Sequence, residues 1–242
     1  MARPLDVVER LVVASPVRIP GRLARAKLRY VLSRADGQPP VVAETGEQAV
    51  VRDGSRAIVT ICADCGSTRV ETDASLAPYL KANAWVRSDH PKVRAIAARA
   101  GGNKASVHDR MQALASQVRR RLGKGAEFLG YADAVQALRT GRGDCTEYAV
   151  LLAALARAQG LPTRVVVGMV YASRFTGRKD SFSPHAWVQV YENDRWVSYD
   201  AAFDGFDSTH VALATGTGDP TEVFAAFTQL RQLRIERVGE VR

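Results

Sequence analysis

A chain of 242 residues, 46% hydrophobic and 24% charged, has the composition of an ordinary globular protein that can bury a core without disulfide staples. It shows no internal repeat and no low-complexity tract. No apolar run approaches the ~20 residues that span a bilayer, so membrane insertion is not expected. The net charge of +9 raises nucleic-acid binding as a function. Yet the arginines are spread along the whole chain. The densest group, Arg119 to Arg121, ends a predicted helix, where cations favour the macrodipole. No aromatic residues interleave with the basic ones as a single-strand platform requires, and nucleic acid is not an expected partner.

The opening "MARPLDVVERLVVASPVRIPG" does not read as a signal peptide, because Asp6, Glu9 and Arg10 interrupt the apolar stretch. The expectation is a cytoplasmic protein, or a periplasmic or exported one if the chain belongs to a longer precursor. Residues 1–75 are strand-like. "LDVVERLVV", "ARAKLRYVLS", "EQAVVRD" and "RAIVTICA" carry β-branched or alternating apolar residues, with turn residues between them. They predict an N-terminal β-rich unit, with a second domain over 76–242. "CADC" holds Cys62 and Cys65 at the end of one such strand. Three readings stay open: no chemistry, a local disulfide, or half of a zinc site lacking its second pair.

Helices follow. "SDHPKVRAIAARAGG" has a possible cap at Ser88 or Asp89, Pro91 in its first turn and Gly101 as its stop. "SVHDRMQALASQVRRRLG" runs from a Ser106 cap, with Met111, Leu114, Val118 and Leu122 on one stripe. "YADAVQALRTG" is a short helix ending at Gly141. "CTEYAVLLAALARAQG" is apolar on more than one face, which predicts a central helix. "TRVVVGMVY", "HAWVQVYE" and "RWVSYDAAF" read as three strands, then "THVAL", a helix around "DPTEVFAAFTQL" and a last strand "LRIERVGEVR". Helices and strands are segregated, so the fold class is α+β.

Cys145 stands at the mouth of the apolar helix. A lone cysteine in an Ala/Leu helix is more often core than nucleophile, so a base must come from elsewhere. Of four histidines, His90 and His108 sit at helix starts and His210 near the tail. His185 opens a predicted strand after the loop "SRFTGRKDSFSP". If "HAWVQVYE" and "RWVSYD" pair through Asn193 and Asp194, their far ends, His185 and Asp200, meet. A carboxylate can then accept from one imidazole nitrogen while the other faces a thiol. At the helix N-terminus, backbone N–H groups and the macrodipole would favour a thiolate and supply part of an oxyanion hole. Asp144 reads as the helix cap.

"GRGDCTEYAVLLAALARAQGLPTRVVVGMVY", "HAWVQVY" and "WVSYDAAF", in that order, resemble the transglutaminase-like superfamily of papain-type cysteine enzymes. The match covers about residues 130 to 204, and "DSTHVALATG" is similar to bacterial members. The resemblance implies a papain-like, transglutaminase-like core in which the Cys-bearing helix packs on an antiparallel sheet. It implies Cys145 as nucleophile, His185 as general base and acid, and Asp200 as orienter. The implied reaction is acyl transfer from a peptide or protein amide through a thioester, without a cofactor or metal. Hydrolysis is favoured over Gln–Lys crosslinking, since the chain lacks the length and the acidic loop of calcium-dependent crosslinkers. A binding module that retains the fold without catalysis is the remaining alternative. Tyr131, Gln136 and Trp187 are candidate oxyanion or substrate contacts, although Trp187 also reads as packing. The basic loop "SRFTGRKDSFSP" suggests acidic groups near the scissile amide.

Overall fold

The computed structural model describes residues 8–101, 106–123 and 131–241. It is built on two antiparallel sheets with helices packed on one of them. The larger sheet carries β1 (Val13–Ala14), β6 (Arg178–Glu192), β5 (Thr163–Phe175) and β8 (His210–Gly216) in that order, and β7 (Arg195–Tyr199) also pairs with β6. The smaller sheet has the order β3 (Gln48–Asp53), β4 (Arg56–Ile61), β2 (Leu28–Arg34) and β9 (Leu233–Glu240).

The helices follow their sequence signals. In α1 (Pro91–Gly101) the expected Ser88 or Asp89 cap is replaced by His90, whose Nδ1 accepts from the Lys92 N–H at 3.2 Å. In α2 (Val107–Arg121) the Ser106 hydroxyl caps the Asp109 N–H, and Met111, Leu114, Val118 and Leu122 are fully buried. Helix α3 (Ala134–Thr140) starts on Asp133 and stops at Gly141, which is left-handed at φ 66°. Helix α4 (Cys145–Ala158) is buried along nearly its whole length, with α1, α2 and α3 on one side and β5 and β6 on the other. An apolar helix with no polar face has no other stable place. Helix α5 (Pro220–Thr228) is capped by Asp219.

Two expectations are revised, and one open reading is narrowed. "LDVVERLVV" is not a strand: Val8 and Glu9 are helical, only Val13–Ala14 pairs, and residues 1–7 lie outside the described residues. "SRFTGRKDSFSP" is not a loop but the tip of a long hairpin. The chain turns at Thr176 and Gly177, both at positive φ, and β6 begins at Arg178. His185 therefore lies inside β6 and not at its mouth. "CADC" closes as a Cys62–Cys65 disulfide, a bond that persists in oxidising surroundings. Strand pairing also links residues on either side of position 75. Strand β9, from the C-terminal end, completes the sheet of β2, β3 and β4, and β1 joins the sheet of β5 and β6.

Candidate active site

The turn "GRGDCTE" can be read residue by residue. Gly143 has no side chain because a Cβ there would lie 2.4 Å from the Glu147 Cβ. Glu147 needs that space: its carboxylate accepts from the Ala132 N–H and the Asp144 N–H, each at 2.8 Å. Asp144 caps the helix, accepting from the Thr146 N–H at 2.9 Å. The two carboxylates form a capping box that fixes Cys145 as the first helical residue. Tyr148 ties the same turn to α2 by donating to the Leu122 carbonyl at 2.7 Å.

Strand β6 supplies the partner. One edge pairs with β5 throughout. The other pairs with β1 at Phe182 and with β7 only from Val188 onward. Between them, residues 183–187 have no strand on that edge among the described residues. The Ala186 N–H is near enough to the Cys145 thiol to favour its thiolate, so the thiol lies in this gap, beside the peptide that follows His185. Burial pushes the Cys145 thiol well above its ordinary range, and the charges of Asp144 and Asp200 push the same way. The Ala186 N–H opposes them. The proton needs an acceptor.

The β6–β7 hairpin turns through Asn193 and Asp194, both at positive φ, the conformation of a two-residue type I′ turn. Its ladder ends at the Val188–Tyr199 pair, and the chain leaves the sheet at Asp200. There the Asp200 carboxylate meets His185 Nε2 at 2.6 Å, with both side chains buried. The hairpin is held from below by Glu47, whose carboxylate accepts from the Ser198 N–H at 2.8 Å and from Gln189 Nε2 at 3.2 Å. Phe203, 45% exposed, sets its ring edge against the His185 ring at 4.9 Å.

A third group, read from sequence as part of the tail, joins this pair. His210 Nε2 lies 3.2 Å from the same Asp200 oxygen, and its Nδ1 lies 3.1 Å from Asp207 Oδ1. Burial works against a charged His210, but its hydrogen bonds to Asp200 and Asp207 outweigh this and raise it to about 9. Burial likewise works against an ionised Asp200, yet His185 and His210 together hold its carboxyl far below the usual range. His185, Asp200 and His210 offer ligand atoms close enough for a metal ion. Both Nε2 atoms, however, face the carboxylate oxygen directly at hydrogen-bond distance. The other such group contains Cys62 and Cys65, which are bonded to each other.

The remaining candidates sit elsewhere in the network. Trp187 is 1% exposed and stacks parallel to the His185 ring at 6.0 Å, and its indole N–H donates to Ser198 Oγ. It forms a wall behind the imidazole, as its reading as a packing residue has it. The Tyr131 hydroxyl donates to the Gly218 carbonyl at 2.9 Å. Gln136 is exposed in the first turn of α3.

Comparison with known proteins agrees with this architecture. Residues 94–201 match the family model of the transglutaminase-like superfamily. The fold is similar to that of a candidate cysteine protease from Cytophaga hutchinsonii, with a TM-score of 0.53 and 15% identity over 89% of this chain and 86% of that one. It is also similar to the periplasmic domain of TgpA from Pseudomonas aeruginosa, with a TM-score of 0.50 and 18% identity over 90% of this chain and 80% of that one. A search of the curated proteins finds no match. Among the described residues, no helix is long and apolar enough to cross a membrane. The similarity to the transglutaminase-like superfamily thus spans residues 94–201, somewhat under half of the chain.

Proposed function

We propose that the chain is a cysteine-dependent amide hydrolase that acts on peptides or proteins through a thioester on Cys145. The observation that carries this reading is His185 Nε2 held by Asp200 at 2.6 Å, on the strand whose next N–H, that of Ala186, favours the Cys145 thiolate. With Nε2 so engaged, Nδ1 is the nitrogen left to serve the thiol. His185 takes the thiol proton as sulfur attacks the carbonyl carbon, then gives it to the departing amine. Water, deprotonated by His185, attacks the thioester, and the acid product leaves with the thiol restored. With the Thr146 and Glu147 N–H groups taken by the Asp144 cap, the Cys145 N–H is the first-turn donor proposed to stabilise the tetrahedral oxyanion.

Iodoacetamide labelling of Cys145, followed by mass spectrometry from about pH 5 to pH 9, tests the proton transfer. Labelling is expected to be fast at pH 6 in the wild type and at least ~10-fold slower in His185→Ala, a pH unit's worth of thiolate. Labelling at pH 6 that is slow and indifferent to His185 would remove the catalytic reading and leave a binding module.

A further inference from the structure

We propose, on the footing of the hydrolase reading above, that His210 is a positioning residue: an imidazolium that acts through Asp200, fixing its carboxylate and balancing its charge.

The geometry argues for the charged ring. Nε2 faces Asp200 Oδ2 at 3.2 Å, and Nδ1 faces Asp207 Oδ1 and the Asp207 carbonyl, each at 3.1 Å, with the Asp207 N–H farther off at 3.3 Å. A neutral ring protonated at Nε2 could accept from that N–H, but its Nδ1 lone pair would then face two nearer oxygens; the imidazolium donates to Asp200 and Asp207 alike. The ring is 2% exposed and enclosed by Trp187 and His185 of β6 and by Phe203 and Phe206 of the loop before β8. The ionisable groups facing it are therefore His185 from β6, with Asp200 and Asp207 from that loop. Tyr30 of β2 binds the neighbouring Ser208 carbonyl at 2.8 Å and does not reach the ring nitrogens.

The need for such a cation follows from the charges. Asp200 orients His185, but its negative charge also opposes ionisation of the Cys145 thiol. When the thiol proton moves to His185, thiolate, imidazolium and carboxylate together leave one buried negative charge unbalanced. A buried, uncompensated charge is strongly disfavoured. His210 as imidazolium makes the four groups neutral as a set. Asp207, whose side chain is 34% exposed, sits on the far side of His210, where water screens it.

The test is the pH profile of Cys145 alkylation in the full chain, for wild type, His185→Ala and His210→Gln. Glutamine can still donate a hydrogen bond to Asp200 but carries no charge. The profile of His210→Gln is expected to move about one unit to higher pH, slowing labelling at pH 6 about tenfold. A folded His210→Gln with the wild-type profile overturns the role of His210 even where His185→Ala abolishes fast labelling. Insensitivity to His185→Ala instead overturns the hydrolase reading itself. Nitrogen-15 NMR of the wild-type imidazoles gives an arm that needs no His210 variant. Both His210 nitrogens are expected to stay protonated from pH 6 to pH 8, and a neutral tautomer at pH 7 would overturn the proposal.

Discussion

Asp200 accepts four hydrogen bonds: His185 Nε2 and His210 Nε2 on one oxygen, and the Ala202 and Phe203 N–H groups on the other. Such saturation holds the carboxylate in one rotamer and keeps it ionised. The pairing of His185 with Asp200 is legible in the sequence because the "ND" turn fixes the hairpin register. His210 is not legible, because only the antiparallel pairing of β5 with β8, which sets Val170 opposite His210, brings it there. Its raised value has a consequence for stability. A group raised from an unfolded value near 6.5 to about 9 stabilises the fold fully below pH ~6.5, and that contribution is lost as pH rises through about 9. Thermal melts of wild type and His210→Gln are therefore expected to differ most at pH 6 and to converge toward pH 9.5. A gap that widens with pH would contradict the charged ring.

At the scale of elements, β6 explains both a misreading and a feature of the site. Pro184 reads as the end of a loop, since proline removes a ladder hydrogen bond. In an extended strand, residues two apart direct their N–H groups to the same edge. Ala186 directs its N–H to the edge facing Cys145, so the N–H that Pro184 lacks belongs to that unpaired edge. The proline is tolerated for the reason that leaves room for the thiol. Across the ladder, Gly168 pairs with His185, and β5 and β8 shift register between Val167 and Gly168. A Cβ at Gly168 would lie 2.0 Å from the Val211 carbonyl oxygen, and backbone cannot yield as a side-chain tip can. Gly168→Ala is expected to push β8, and His210 with it, away from β5. It should lower the melting temperature and slow Cys145 labelling at pH 6, whereas wild-type values for both would show that β8 accommodates the methyl without moving the site. The Ser106 and Asp144 caps and the apolar helix are readable because their signals are local. The extent of β6 is not, because it depends on which edge is paired.

Over the whole molecule, the N-terminal strands and the site are one connected structure. Strand β9 returns from the C-terminal end to close the sheet on β2. The segment before β3 delivers Glu47 beneath the hairpin of His185 and Asp200. The disulfide loop supports that segment: the Cys62 N–H donates to the Glu47 carbonyl at 3.1 Å and the Gly66 N–H to the Gly46 carbonyl at 3.2 Å. These links join residues far apart in sequence, and neither periodicity nor turn chemistry announces them. The α+β class, by contrast, follows from the order of elements alone. The account as a whole stands on Cys145 forming a thioester, and intact-mass spectrometry tests that directly. The full chain is mixed with a set of peptide amides, quenched in acid within seconds, and mapped for an acyl adduct. The account predicts an adduct on Cys145 in the wild type that decays to hydrolysed peptide, with none in Cys145→Ser. Amide turnover that persists unchanged in Cys145→Ser would contradict it.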